Sequence, residues 1–126
     1  MFSHMFLGSN DVDRSRSFYE AALGALGLKN VMPADQPRCI FPGAHGNLII
    51  AAPANGAPTA ASNGFTVGFA AADMAAIDAF HAAGVANGGT DEGAPGPRPN
   101  APGKAYGAYL IDPDGHKICA FCQMPD

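Results

Sequence analysis

The sequence predicts an α+β domain built from two tandem copies of a strand–helix–strand–strand–strand unit, and three observations carry that prediction. Strand-like and helix-like apolar patterns recur in the same order in both halves. Short letter matches superpose one half on the other. A small-residue stretch, PANGAPTAAS at 53–62, lies between them. With 126 residues the chain suits one domain and leaves little room for a second. We divide it into module one at 1–53, a linker at 54–62 and module two at 63–126.

In module one, SHMFLGS at 3–9 alternates as a strand. Asn10 to Asp13 supply helix-capping side chains. The helical pattern VDRSRSFYEAALGALGL follows, with Val12, Ser15, Phe18, Tyr19, Ala22 and Leu26 on one stripe. Short strands are expected at 29–34, 37–42 and 46–52, punctuated by Pro33, Pro37, Pro42-Gly43 and Gly46. In module two, NGFTVGFA at 63–70 reads as a strand. Residues 73–86 read as a helix, with Asp73 as N-cap and Met74, Ile77, Phe80 and Val85 on the buried side. Further strands are expected near 86–91, 104–111 and 116–122.

The halves superpose by letter. SFYEAA at 17–22 matches AFHAA at 79–83, placing Phe18 on Phe80 with an offset of 80 − 18 = 62. The same offset carries His4 onto Thr66. GNLIIA at 46–51 matches GHKICA at 115–120, an offset of 115 − 46 = 69, which places Ile50 on Cys119. The difference falls in the Gly/Pro-rich stretch DEGAPGPRPNAPGK. A duplicated unit leaves one sheet face uncovered, and pairing two such units encloses a cavity.

Composition narrows the function. Lys and Arg number 7 without clustering and the net charge is −4, which argues against nucleic acid and an anionic membrane. No apolar run reaches the roughly 18–20 residues of a membrane span. The N-terminus lacks the basic and apolar regions of a secretory signal. Three cysteines are an odd set in a chain large enough to fold without staples, so a cytoplasmic location is expected. Cys119 and Cys122 spell C-x-x-C, but KICAFC reads as a strand, which sends the two thiols to opposite faces. Only 14% of residues are charged, so a homodimer covering part of the surface is expected.

The chain resembles the vicinal oxygen chelate superfamily, the glyoxalase / bleomycin-resistance / extradiol dioxygenase group. The residues that carry the resemblance are the opening SHMFLGSNDVDRSRSFYEAALGALGL, GFTVGFA, the helix AIDAFHAAG, GGTDEG, and YGAYLIDPDGHKI near the end. That family implies two βαβββ modules whose mixed sheets curl into a half-open barrel. Its metal-dependent members hold a divalent metal through the first and last strand of each module. Carried onto this chain, those positions are His4, Ile50, Thr66 and Cys119. Only His4 fits the usual ligand pattern, because Ile50 cannot ligate, Thr66 is a poor ligand, and Cys119 stands where a glutamate is usual.

Strand parity then groups Phe2, His4 and Phe6 on the cavity face, with Leu48, Ile50 and Ala52, Thr66 and Gly68, and Lys117, Cys119 and Phe121. The cavity is expected to be mainly apolar, as a small-molecule pocket usually is. His4 is either a cavity-lining side chain or a metal ligand. Cys119 is a soft-metal ligand, a reactive thiol or a small buried hydrophobe, and packing is the favoured reading. His116 follows Asp-Pro-Asp-Gly and is expected to tune a hairpin turn. His81 is expected near a solvated face, and His45 can approach the cavity rim.

The loop 91–103 is long enough to be a lid. Its Arg98 is either a solvated charge or a clamp for a substrate carboxylate or phosphate. Tyr106 and Tyr109 point to opposite faces of the next strand, so one meets the cavity; Tyr106 is the pocket candidate. No nucleophile elbow, phosphate loop or Ser/His/Asp signature is present. Two functions follow as expectations. One is a binding protein for a small organic molecule, without a cofactor or complete metal centre. The other is a glyoxalase-like lyase or isomerase using Zn, Ni, Mn or Fe, for which His4 and Cys119 are the only ligands offered.

Overall fold

Asp11 and Asp73 start the two helices for the same physical reason. Each sits in extended backbone and accepts a hydrogen bond from the main-chain N–H three residues on, satisfying a donor that the first turn leaves free. A computed structural model describes all 126 residues. In chain order the elements are β1 (His4–Gly8), α1 (Val12–Gly24), β2 (Arg38–Gly43), β3 (Gly46–Ala51), β4 (Thr66–Ala70), α2 (Met74–Ala86), β5 (Thr90–Pro97), β6 (Ala105–Ile111) and β7 (Lys117–Gln123). The helix α1 closes through Gly27, whose φ of 83° lets the Leu28 N–H return to the Leu23 carbonyl.

The strands form two separate mixed sheets, β1-β3-β2 and β4-β7-β6-β5. In each, the first strand of the module runs parallel to the last, and the remaining pairs are antiparallel. Each helix covers its own sheet, and α1 also packs on α2. Phe18 and Tyr19 of α1 and Ile77 and Phe80 of α2 are fully buried in one core that reaches both sheets. Truncating one of these aromatic rings to alanine costs about 3–5 kcal/mol, because the cavity left behind collapses only in part. On α2 the buried side is Ile77, Phe80 and Gly84. Val85, expected inside, is 45% exposed. A Cβ on Gly84 would meet Leu110 at 2.4 Å, so the missing side chain is what allows this helix onto its sheet.

Two expectations about the strands change. The strand expected at 29–34 does not form, so module one has three strands rather than four. Pro33 and Pro37 remove donors there, and the Asn30 side-chain oxygen takes the N–H of Ile40 that a fourth strand would have bonded. The strand expected near 86–91 lies instead at Thr90–Pro97, inside what read as a lid. Its sequence TDEGAPGP has low strand propensity. It survives as an edge strand with two register shifts, where proline and glycine are tolerated. Only 98–104 remains as a loop before β6.

The two modules are joined through a polar clasp at the Asp-Pro-Asp-Gly-His turn between β6 and β7. Gly115, at φ 97°, closes the turn. Asp112 is buried and accepts from the Asp114 and His116 N–H groups through one oxygen and from the Tyr19 hydroxyl through the other. Asp114 accepts from Arg14 at 2.7 Å, from the Asn10 N–H and from Ser15. His116 Nε2 lies 2.8 Å from the Gly8 carbonyl, which can only accept, so the ring donates. Apart from the turn's own N–H groups, these partners (Gly8, Asn10, Arg14, Ser15 and Tyr19) all lie in module one, from the end of β1 into α1. Burial, reinforced by Asp112, keeps the Tyr19 phenol protonated well above its ordinary range.

Candidate functional site

The strands position side chains in two places. The first is a pocket of about 380 Å³ in the seam between the sheets. β1 and β4, edge strands of their respective sheets, line it without pairing, and the β2–β3 hairpin forms its rim. Met5, Leu28, Phe41, Leu48, Val67 and Phe69 supply its apolar wall, and His4, His45 and Asn47 its polar points. His4 is exposed at the rim with the Ser3 hydroxyl 2.8 Å from its Nδ1.

The second place is the face of the β4-β7-β6-β5 sheet turned away from α2. Register sets its members. Thr66 stands beside Lys117, Gly68 beside Cys119, Ala70 beside Phe121, and Tyr109 opposite Cys119. Gly107 carries the Phe121 ring, which comes within 2.6 Å of where a Cβ would stand. Phe121 meets Tyr109 edge-on, with centroids 5.6 Å apart. Arg98 and Lys117 both lie over the Tyr109 ring.

Of the eight expected pocket residues, the structure groups Thr66, Arg98, Cys119 and Phe121 on this second face, and places His4 at the seam. Phe6 lies on the His4 side of β1 and is half-exposed, outside the seam lining. Two placements are corrected. Tyr106 points to the helix side, where its hydroxyl donates to Asp78 of α2, and Tyr109 takes the open face. The Asp-Pro-Asp-Gly turn already held that information, since counting back from it puts Tyr109 opposite Cys119. Ile50 is also on the wrong face. It is buried beside Leu7 against the helices, together with Leu48.

The slip has a plain cause. Met5 stands beside Leu48 in module one, and Val67 beside Ile118 in module two, so the last strands superpose with an offset of 118 − 48 = 70. Six residues separate Phe41 from its partner Leu48, and seven separate Leu110 from Ile118. The longer turn moves the register by one, and one residue flips a strand's faces. Ile49, not Ile50, is the counterpart of Cys119. It also cannot bind a metal.

These residues do not fit a divalent metal. His4 lies at the seam and Cys119 on the floor of the second face. Burial pushes the Cys119 thiol from 9.0 up to about 11, against a smaller opposing effect of Lys117, so a metal there would have to displace a tightly held proton with no second ligand beside it. No group of three His, Cys, Asp or Glu side chains is placed to hold a metal ion. Cys39, Cys119 and Cys122 are all free thiols.

A two-module α+β fold with an open seam and a mainly apolar pocket defines a fold class rather than one reaction. Within that class the sequence matches the family model of the Glyoxalase/Bleomycin resistance protein/Dioxygenase superfamily over residues 1–120, and the chain belongs to that family. It is similar to a glyoxalase/bleomycin resistance protein from Albidiferax ferrireducens T118, with 47% identity, 99% of each chain covered and a TM-score of 0.87. The fold is shared at 18% identity with a glyoxalase-related enzyme from Fulvimarina pelagi, with a TM-score of 0.74 and 96% of this chain and 86% of that one covered. It is shared at 22% identity with a lactoylglutathione lyase from Agrobacterium tumefaciens, with a TM-score of 0.65 and 96% and 92% covered. No functionally curated protein matches the sequence. No helix is long and apolar enough to cross a membrane.

Proposed function

We infer that this protein binds a small, largely apolar organic molecule in the seam pocket, as a homodimer without a complete metal centre. One observation carries the reading: the seam is walled by aliphatic and aromatic side chains and offers only a few polar groups, so burial of apolar surface is its main source of affinity. The neutral fluorophore N-phenyl-1-naphthylamine tests it. Saturable binding is expected, and Ala70→Phe, which fills the pocket from an exposed position on β4, is expected to abolish it. A linear, unsaturable response would sink the reading.

The rival reading, a lyase acting through Zn, Ni, Mn or Fe, rests on family alone. Elemental analysis after dialysis separates the two. The binding reading expects no stoichiometric metal, and about one metal per chain would replace it with the lyase, since a catalytic centre holds its ion through three protein ligands. Homodimerisation is supported by Phe2, Phe6 and Phe65, which are 64%, 49% and 45% exposed. A monomeric mass by light scattering would contradict it. The three free thiols support a reducing, cytoplasmic setting.

A further inference from the structure

Seven cationic side chains serve a chain of net charge −4, and their partners divide them sharply. Arg14, Arg16 and Lys104 each bond a carboxylate. Lys29 and Arg38 are exposed to water. Arg98 and Lys117 alone are half-buried and meet no carboxylate, and they converge on one ring. The Lys117 ammonium lies 4.9 Å from the Tyr109 centroid and the Arg98 guanidinium 5.6 Å. A cation drawn partly out of water without a counter-charge costs free energy that a bound anion recovers.

The placement of Arg98 is built by the surrounding backbone. Its Nη2 donates to the Ala94 carbonyl at 2.6 Å, and Nη1 to the Pro97 carbonyl at 3.3 Å, with the Gly96 carbonyl at 3.5 Å. Those acceptors are neutral, so they orient the guanidinium and leave its charge. Room for it comes from two glycines of β5. A Cβ on Gly93 would stand 3.2 Å from Nη2, and one on Gly96 would stand 3.5 Å from Nη1. Of the two acids on this strand, Asp91 points to the other side of the sheet and is engaged by His81 at 2.8 Å, with Arg98 adding only a weaker pull through space, and Glu92 is exposed and bonds no cation. Cys119, on the floor of this face two residues along β7 from Lys117, stays protonated and supplies no charge. Arg98, Asn100 and Tyr109 line a shallow depression of about 350 Å³, and the Tyr109 hydroxyl has no protein partner.

We propose that this face is an anion subsite, in which Lys117, Arg98 and Tyr109 hold the oxyanion head, carboxylate or phosphate, of a small organic molecule. The subsite lies beyond the seam pocket and requires nothing of it, so either can fail alone. Titration of the full-length protein with inorganic phosphate and, separately, with benzoate, followed by amide NMR, tests it. At least one ion should give saturable shifts centred on Arg98, Tyr109 and Lys117, weakening as salt is raised. Lys117→Gln and Arg98→Gln should each weaken that binding about tenfold, the size expected for losing one charge-assisted contact. His45→Ala, at the seam, should leave it unchanged. Whichever ion binds more tightly identifies the head group. No saturable shift with either ion overturns the proposal, as does binding of wild-type strength in Lys117→Gln. Lys117 lies on the open sheet face away from the core, so that variant stays informative if Arg98→Gln unfolds the β5–β6 turn. Variants that weaken only self-association, with anion binding intact, overturn it too, because the cations then serve a second copy.

Discussion

The hairpins that end the two modules occupy equivalent places in the duplication and do opposite work. In module two Asp112 and His116 at the ends of the tip are buried and the residues between are half-buried, and its carboxylates and imidazole bond Tyr19, Arg14, Ser15 and the Gly8 carbonyl of module one. In module one the tip Gly43–Gly46 is exposed, and His45 on it rims the seam pocket. One extra residue and two aspartates convert a rim into a clasp. The lesson is that a duplicated architecture needs one copy of a feature to hold the halves together and leaves the other copy free to face a ligand.

The comparison breaks most visibly at Asp112. Asp112→Ala removes the acceptor for two turn N–H groups and the buried Tyr19 hydroxyl, and should cost about 3 kcal/mol in urea unfolding. A change below about 0.5 kcal/mol, the range of an ordinary surface site, would mean that the clasp carries no stability. His116→Ala should cost about 1–2 kcal/mol, because the Gly8 carbonyl loses its donor. Tyr19→Phe, which keeps the ring and deletes one hydroxyl, should cost about 1 kcal/mol. His45→Ala should stay within about 0.5 kcal/mol of the wild type while altering binding of the neutral fluorophore. Equal losses at His45 and His116 would erase the distinction between the hairpins.

Alkaline pH gives a smaller effect, at Tyr19 of the clasp and at Cys119 on the second sheet. Burial raises the Tyr19 phenol, and raises the Cys119 thiol from 9.0 to about 11. The folded chain therefore holds protons that the unfolded chain releases first. Stability contributed by these groups is complete below pH 9 and is lost as pH rises through 9 to 11. Urea midpoints at pH 8 and pH 10.5 should fall in that order, and Cys119→Ala should reduce the drop. A rise in the midpoint with pH would contradict this assignment.

Much of the fold was legible because local signals agreed with it. The capping aspartates, the stripe through Phe18 and Tyr19, and the Asp-Pro-Asp-Gly turn each named an element that formed. β5 was not legible, since TDEGAPGP has no strand pattern and depends on pairing with β6 to hold it. The site was partly legible. Parity grouped Thr66, Lys117, Cys119 and Phe121 correctly because all four lie on strands that pair without a shift. It failed at Ile50, where a letter match cannot count residues in a turn.

By itself the sequence determined the family, the helices and the repeated order of elements, since each depends on residue identity or short-range spacing. Only the tertiary structure decided which face each strand shows, which histidine is a clasp and which a rim, and that Arg98 and Lys117 each lie over the Tyr109 ring. Those outcomes depend on register and on contacts between residues up to a hundred positions apart. A one-residue change in a turn reverses a strand's faces, and nothing local in the letters records it.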